Sequence, residues 1–434
     1  MSALTWIALA SLASWVWLLL GQGFFWRTDI RLPPRGEPAT GPWPTVAIVV
    51  PARDEAEVLP LSLPSLLEQD YPGQATVFLV DDGSTDGTAK IAHELTAGCG
   101  GLPLVVASPG ELEPGWTGKL WAVRHGIALA RAQLEPEYVL LTDADIAHEP
   151  DSLRELVSAA RSHDLDLVSQ MARLRVETAW ERLLVPAFVY FFAQLYPFRW
   201  VNQPGARTAA AAGGCVLLRT DAAERARVPE SIRQSVIDDV ALARAIKHAT
   251  SAPANGRGRT DTPPASRPAT APYAADAVGA VGAGAVVRRP ATSGRIWLGL
   301  AERVDSVRPY PQLSELWRMV SRSAYAQLRH QPAVLVATVV GLTVIYLAPP
   351  VAVCVGVVGG HRALLVIGAA AWAVMAGSYL PMLRYYRQSP WLAPLLPFTA
   401  SLYLLMTVDS ARQHYRGQGA AWKGRTYARP KAAP

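Results

Sequence analysis

Between Thr45 and about Pro309 the chain alternates short, continuously apolar runs with segments of helical period. Thr45 to Val50, Thr76 to Val80, Leu104 to Val106 and Tyr138 to Thr142 read as buried strands. Apolar runs without alternation fit a parallel sheet covered on both faces. Glu57 to Gln69, Asp86 to Thr96, Gly118 to Ala132 and Asp151 to His163 read as the crossover helices, with Asp86 as a capping residue. This βαβ succession predicts an α/β domain with a doubly wound, mostly parallel sheet. Later in the domain, Val236 to Lys247 reads as a helix and Arg295 to Leu300 as a strand. Between them Ala249 to Ser293 is dominated by Ala, Pro, Gly, Thr and Arg, with Tyr273 its only aromatic. Such a stretch buries too little apolar surface to offset its chain entropy, and it reads as a disordered insertion.

The flanks are different. Thr5 to Phe25 is nearly uncharged and carries Trp6, Trp15 and Trp17, with Trp26 beside it. It is long enough for a hydrocarbon core of roughly 30 Å. It lacks a basic start and a small-x-small cleavage site, so it reads as an uncleaved anchor rather than a signal peptide. Ala333 to Val358, Ala363 to Leu383 and Trp391 to Val408 are three further apolar runs. Pro349-Pro350 interrupts the first, and Pro394 and Pro397 the last. Arg384 and Arg387, and a tail with Arg412, Arg416, Lys423, Arg425 and Arg429, all look cytoplasmic by the positive-inside rule. One full span between the two groups would separate them. Either Trp391 to Val408 is re-entrant or interfacial, or the number of spans differs. Leu183 to Val201 is aromatic and bracketed by Pro186 and Pro197. It reads as a buried helix or as one lying in the membrane interface.

Composition narrows the setting. The 434 residues suffice for one globular domain and several spans, and half of them are hydrophobic. Cys99, Cys215 and Cys354 lie far apart without metal-ligand spacing, which argues against a disulfide framework and fits a reducing compartment. The net charge of +6 belongs with an anionic membrane surface, because basic residues crowd beside the apolar segments. No basic stripe with interleaved aromatics favours nucleic acid.

The chemistry lies at the strand ends. Pro51-Ala52-Arg53-Asp54-Glu55, Asp81-Asp82-Gly83-Ser84-Thr85-Asp86 and Thr142-Asp143-Ala144-Asp145 each close an apolar run. Ile237-Asp238-Asp239 follows about a hundred residues later. Open α/β sheets bind ligands at these carboxyl ends. Asp143 and Asp145, spaced by two in an extended segment, point to one side and suit a divalent cation, Mg2+ or Mn2+, carrying a diphosphate. The bland alternative is an Asp-rich turn. Asp81 and Asp82 suit hydrogen bonds from a base or ribose, or merely cap the next helix. Arg53 and Glu55 are nucleotide contacts or a surface ion pair. Lys119 follows Gly118 at a helix start, where a lysine pairs with phosphate or is simply solvated. Asp238 and Asp239 are catalytic, or acids favoured by a helix dipole.

The order of these motifs, with Gly118-Lys119 and Gly213-Gly214, resembles family 2 glycosyltransferases of the GT-A fold. Thr117-Gly118-Lys119-Leu120-Trp121-Ala122, Tyr196-Pro197-Phe198-Arg199-Trp200, Gly294-Arg295-Ile296-Trp297-Leu298-Gly299-Leu300 and Trp422-Lys423-Gly424-Arg425 look similar to the hopanoid-biosynthesis-associated glycosyltransferases, relatives of the ceramide glucosyltransferase group. The resemblance implies that Asp239 is the general base, that Pro51, Arg53, Glu55, Asp81, Asp82, Lys119 and Asp143 hold a nucleotide-sugar, and that Asp143 and Asp145 hold the metal. It adds Gly213, Gly214 and Arg322 as donor or acceptor contacts. Many membrane-bound members carry Gln-x-x-Arg-Trp before the C-terminal spans. Met319-Val320-Ser321-Arg322-Ser323 keeps only the arginine, which favours single-sugar transfer over a processive synthase. The helix Leu313 to Arg329 is amphipathic. It either rests on anionic lipid or brings Arg322 to the donor diphosphate or acceptor mouth.

The expected layout is an anchor (1–26), a linker (27–44), the α/β domain (45–310, insertion 249–293), an interfacial helix (311–330), membrane segments (331–410) and a basic tail (411–434). The expected function is inverting, metal-dependent transfer of one sugar from a nucleotide-sugar, UDP-linked, to a hydroxyl of a membrane lipid, hopanoid-like by the resemblance. The expected location is a bacterial inner membrane with the domain facing the cytoplasm. A polyprenyl-phosphate or polysaccharide-type transferase is the alternative within the class. A non-catalytic lipid-binding protein is the alternative outside it.

Overall fold

Every residue of the first strand, β1 (Val46–Ala52), is buried, because helices cover both faces of its sheet. The computed structural model describes residues 2–33, 41–98, 100–249, 294–417, 421–422 and 425–426. The expected disordered insertion, 249–293, lies outside the described residues except at Ala249, as does most of the basic tail. Strands β2 (Ala75–Asp81), β3 (Leu104–Ala107), β4 (Tyr138–Thr142), β5 (Ile146–His148), β6 (Leu167–Arg173), β7 (Cys215–Arg219) and β8 (Ile296–Ser306) complete one sheet in the order β3-β2-β1-β4-β7-β6-β8-β5. The half that carries the acidic motifs, β3-β2-β1-β4, is parallel throughout. Beyond it β7 runs antiparallel to β4 and β6, β8 is parallel to β6, and the short β5 is antiparallel to β8. The expected mostly parallel doubly wound sheet is therefore mixed on its far side.

The helices in chain order are α1 (Ala3–Gly21), α2 (Leu59–Leu67), α3 (Thr88–Gly98), α4 (Gly118–Leu134), α5 (Ser152–Ser162), α6 (Ala179–Leu195), α7 (Phe198–Val201), α8 (Thr220–Arg225), α9 (Asp238–His248), α10 (Leu313–Ser321), α11 (Ala324–Gln327), α12 (Pro332–Leu342), α13 (Ala348–Val358), α14 (Arg362–Tyr385) and α15 (Leu396–Tyr415). Asp86 sits just before α3, and its carboxylate accepts from the Thr88 N–H at 3.0 Å and the Ala56 N–H at 2.9 Å. One side chain thus starts a helix and ties it to the loop after β1.

Four apolar helices are long enough to cross a bilayer by length and composition: Ala3–Gly21, Pro332–Val358, Arg362–Tyr385 and Pro390–Tyr415. Pro349-Pro350 does not break the second. The prolines occupy the first turn of α13 after a π-turn at Thr343–Leu347, where the missing N–H and the ring clash are accommodated. Trp6, Trp17, Val336, Val358, Val366 and Phe398 point outward, so these helices present a broad exposed apolar surface.

The fourth segment is folded back. Tyr385, at the end of α14, donates its hydroxyl to Ala301 O on β8 at 2.6 Å. The chain then retreats along α14, and Trp372 Nε1 donates to Pro394 O at 3.1 Å. Trp372 lies about 20 Å back along the helix from Tyr385, at 1.5 Å per residue. From there α15 climbs again, and its last residue, Tyr415, shares a 2.9 Å hydroxyl–hydroxyl bond with Tyr325 on α11. The arginines at 384 and 387 and those at 412 and 416 therefore lie on the domain's side of the apolar helices.

Helix α6 joins the two parts. Leu184, Val185, Val189 and Tyr190 are buried in one cluster with residues of α1, α14 and α15. Tyr190 bonds Ser378 at 2.7 Å, and the Tyr403 hydroxyl donates to Leu184 O at 2.9 Å. The aromatic segment 183–201 is thus largely buried, in α6 and the short α7, which are separated at Tyr196-Pro197. The predicted continuous helix from Leu313 to Arg329 is two pieces. It breaks at Arg322-Ser323, where the Tyr325 N–H leaves the helical ladder and donates to Ser410 Oγ at 3.0 Å.

Candidate active site

Three strand ends and two helix starts converge on Lys119. Thr117 caps α4 by accepting from the Leu120 N–H, which sets Lys119 in the first turn. Its Nζ lies 2.9 Å from Asp143 Oδ1, just past β4, and 3.1 Å from Asp238 Oδ2, at the start of α9. Burial works to lower the lysine pKa, but the Asp143 and Asp238 carboxylates outweigh it and push it up. Lys119 is therefore a fixed cation. Asp239 accepts from the Gly213 N–H at 3.1 Å and the Val240 N–H at 2.7 Å. Burial, with Asp238 adding and Lys119 opposing, pushes its pKa up to about 7. Pro51, Lys119, Asp143, Gly213, Asp238 and Asp239 line one cavity, whose floor is Val123, Val216 and Leu242. A carboxylate with a pKa near neutrality beside a cation is the arrangement of a general base next to an anion site.

A second cluster lies at Asp145. Arg308, beyond β8, donates from Nε to Asp145 Oδ2 at 2.9 Å and pairs through Nη2 with Glu55. The Ser306 hydroxyl also reaches Asp145, at 3.3 Å. Burial opposes the arginine's charge, but Asp145 and Glu55 outweigh it. A third group closes β1 and β2: Arg53 lies 3.6 Å from the buried Asp82, and Asp81 accepts from the Ser84 N–H at 2.9 Å.

The structure thus gathers six of the sequence-predicted residues around one cavity and sets Arg53, Glu55, Asp81, Asp82 and Asp145 at adjoining strand ends. Gly214 does not line this cavity, and a Cβ there would lie 3.1 Å from Ile146 Cδ1, so the position is closely packed. Arg322 is exposed at the end of α10, and its charge reaches Tyr310, two residues past Arg308. The sequence reading missed Arg308, Ser306 and the Thr142–His148 pair. Thr142 Oγ1 bonds His148 at 2.9 Å and donates to Gly214 O at 2.8 Å. Burial pushes His148 down to about 4, so it stays neutral and only braces the strand end that carries Asp143.

Asp143 and Asp145 offer hard carboxylate oxygens, the donor type that Mg2+ and Mn2+ prefer. Among the described residues no third His, Cys, Asp or Glu joins them in a metal-sized group. Asp143 is held by Lys119 and Asp145 by Arg308, so a cation shared by the two carboxylates would need Arg308 to yield at Asp145 and further ligands from outside the chain.

Residues 47–226 match the family described as Glycosyl transferase family 2. An N-acetylglucosaminyltransferase of Mesorhizobium japonicum is 40% identical over 78 residues, 17% of this chain and 18% of that protein. A beta-monoglucosyldiacylglycerol synthase of Synechocystis sp. is 30% identical over 170 residues, 35% of this chain and 33% of that protein. The chain thus matches about a third or less of the length of these curated relatives. A mannosyltransferase from Pyrobaculum calidifontis, solved in complex with GDP-Man and Mn2+, aligns over 95% of this chain and 99% of its own with a TM-score of 0.52 and 18% identity. At that identity the likeness is one of fold.

Proposed function

Because residues 47–226 form a family 2 glycosyl transferase domain on a GT-A fold, we propose that this chain moves one sugar from a nucleotide-sugar donor to a hydroxyl of a membrane lipid, with inversion at the anomeric carbon. The observation that carries the reading is Asp239, raised toward neutrality and held next to Lys119 in the cavity where β1, β4 and α9 meet. Asp239 takes the proton of the acceptor hydroxyl as the oxygen attacks the anomeric carbon. Lys119 and the start of α4 receive the donor diphosphate. Arg53, Asp81 and Asp82, at the ends of β1 and β2, hold the nucleoside end. A divalent cation held by Asp143 and Asp145 would neutralise the charge that develops on the leaving diphosphate. A single displacement needs no sugar–enzyme bond and inverts the configuration.

The lipid acceptor is supported by the four apolar helices packed on the domain and by the partial identity to a diacylglycerol-linked synthase. The residues shared with hopanoid-associated transferases favour a hopanoid or similar polycyclic lipid and a UDP-linked donor. In this reading α1, α12–α13 and α14 cross the membrane and α15 is re-entrant. The domain and both arginine groups face the cytoplasm. The test is the product's anomeric configuration, read by NMR after transfer from an α-linked nucleotide-sugar. A β-linked product is expected, and an α-linked one would overturn the single-displacement mechanism.

A further inference from the structure

A second cleft, of about 590 Å3, lies where the domain meets the apolar helices. That size is within the roughly 300–1,000 Å3 of small-ligand sites. It is bounded by Ala179 and Arg182 in the first turns of α6, and by Arg387, Gln388, Ser389 and Leu392 after α14. Its two arginines face the cleft from different elements, the start of α6 and the turn after α14. Most arginines of the domain are ion-paired, among them Arg154, Arg173, Arg219 and Arg225. Among the described residues, Arg182 and Arg387 make no ion pair, although both are exposed to the same cleft. The nearest acid on α6's approach, Glu177, is already paired with Arg175. Two guanidinium groups without an ion pair make the cleft donor-rich, with the Ser389 hydroxyl beside them and Gln388, whose amide already gives one N–H to Tyr386 O at 3.0 Å.

The level of the cleft identifies the kind of phosphate. Arg387 follows the domain-side end of α14, where Tyr385 bonds β8. Trp391 is 82% exposed four residues later, and Leu392 lines the cleft's apolar edge. An exposed tryptophan beside arginines at the end of an apolar helix marks headgroup depth. Resting on the membrane reading above, we infer that this cleft binds the phosphate headgroup of an anionic phospholipid, distinct from the donor and acceptor site. It is also wired toward that site. Glu181, next to Arg182, accepts from the Tyr310 N–H at 2.7 Å, two residues past the Arg308 that holds Asp145. A headgroup bound by Arg182 braces the start of α6 and, through Glu181, the segment that carries Arg308.

The test is native mass spectrometry of the full chain released from nanodiscs of phosphatidylcholine with a minor share of phosphatidylglycerol. The wild type should retain phosphatidylglycerol over phosphatidylcholine. R182Q/R387Q should lose that preference by roughly tenfold or more, as expected for two guanidinium contacts at an anionic surface. R182K/R387K, which keeps both charges and controls for folding, should retain most of it. Equal retention by wild type and R182Q/R387Q would overturn the site. So would displacement of the lipid by millimolar inorganic phosphate, since the ligand would then be free phosphate. Carbonate extraction separates the premises. Release of the wild-type chain from membranes would overturn the membrane reading and the cleft with it, whereas firm membrane retention without lipid preference overturns the cleft alone.

Discussion

Two cations organise the carboxylates at the sheet's end, and they do so differently. Lys119 sits in a helix's first turn, touches Asp143 and Asp238, and leaves the raised Asp239 facing a cavity. Arg308 arrives from the far end of the domain and locks Asp145 to Glu55. In the first cluster the positive charge is fixed by its helix and the acid beside it titrates near neutrality. In the second the guanidinium is bound to the carboxylates it would release when a diphosphate and its cation arrive. The first cluster thus offers a titrating acid at a cavity, and the second a paired carboxylate that would have to exchange its partner before it could hold a cation.

The strongest way to break this division is at the base. Asp239→Asn should lower transfer by about a hundredfold to ten-thousandfold, the usual worth of a general base, while donor binding measured by calorimetry stays near wild type. Full turnover in that variant, with loss in Asp238→Asn, would exchange the two roles. Asp145→Asn comes next. It should lower turnover by orders of magnitude and weaken Mn2+ binding followed by its paramagnetic signal, since it removes a charged ligand. Normal metal-dependent turnover would remove Asp145 from the metal.

The pH profile sharpens the first cluster. Asp239 must be ionised to act, so kcat/KM should fall tenfold per unit below about 7 and level off above it. Lys119→Met removes the charge that favours ionisation, so the acid limb should move to higher pH. The folding linkage has the matching sign. The folded pKa is raised from 3.8 to about 7, so the stability from the protonated form is full below the unfolded value and is lost as pH rises through about 7. Asp239→Asn should therefore be more thermostable than wild type at pH 8 and match it at pH 4. Equal melting temperatures at both pH values would contradict the raised pKa.

The smallest effect concerns the segment between the clusters. The Gly294 N–H donates to Lys247 O at 3.1 Å, so the chain on either side of the predicted insertion meets. Replacing 250–293 by a short Gly-Ser linker should leave transfer within severalfold, because closure entropy varies slowly with loop length. A large loss of transfer with donor hydrolysis intact would give the segment a role at the acceptor mouth.

What the sequence made legible follows the same line. The parallel half, β3-β2-β1-β4, announces itself as uninterrupted apolar runs, and those of β1, β2 and β4 end in acids, so its site residues were readable there. The antiparallel β7 and the short β5 carry no such signal, because a strand's direction depends on tertiary pairing. Arg308 was illegible because it reaches Asp145 across more than 160 positions of sequence. The fold-back of Pro390–Tyr415 was visible only as a charge contradiction, which apolar length alone does not resolve. The break at Arg322-Ser323 depends on Ser410, far along the chain, and amphipathic periodicity is blind to it.

The proposed reaction is transfer of one sugar to a membrane lipid with Asp239 as the base. Membranes holding the full chain, incubated with Mn2+ and a panel of radiolabelled nucleotide-sugars, would test it most directly, with the labelled product identified by mass spectrometry. One labelled lipid carrying a single sugar is expected with the wild type, and no labelled lipid with Asp239→Asn. Label found only as free sugar, only in a polymer, or equally in both proteins would contradict it.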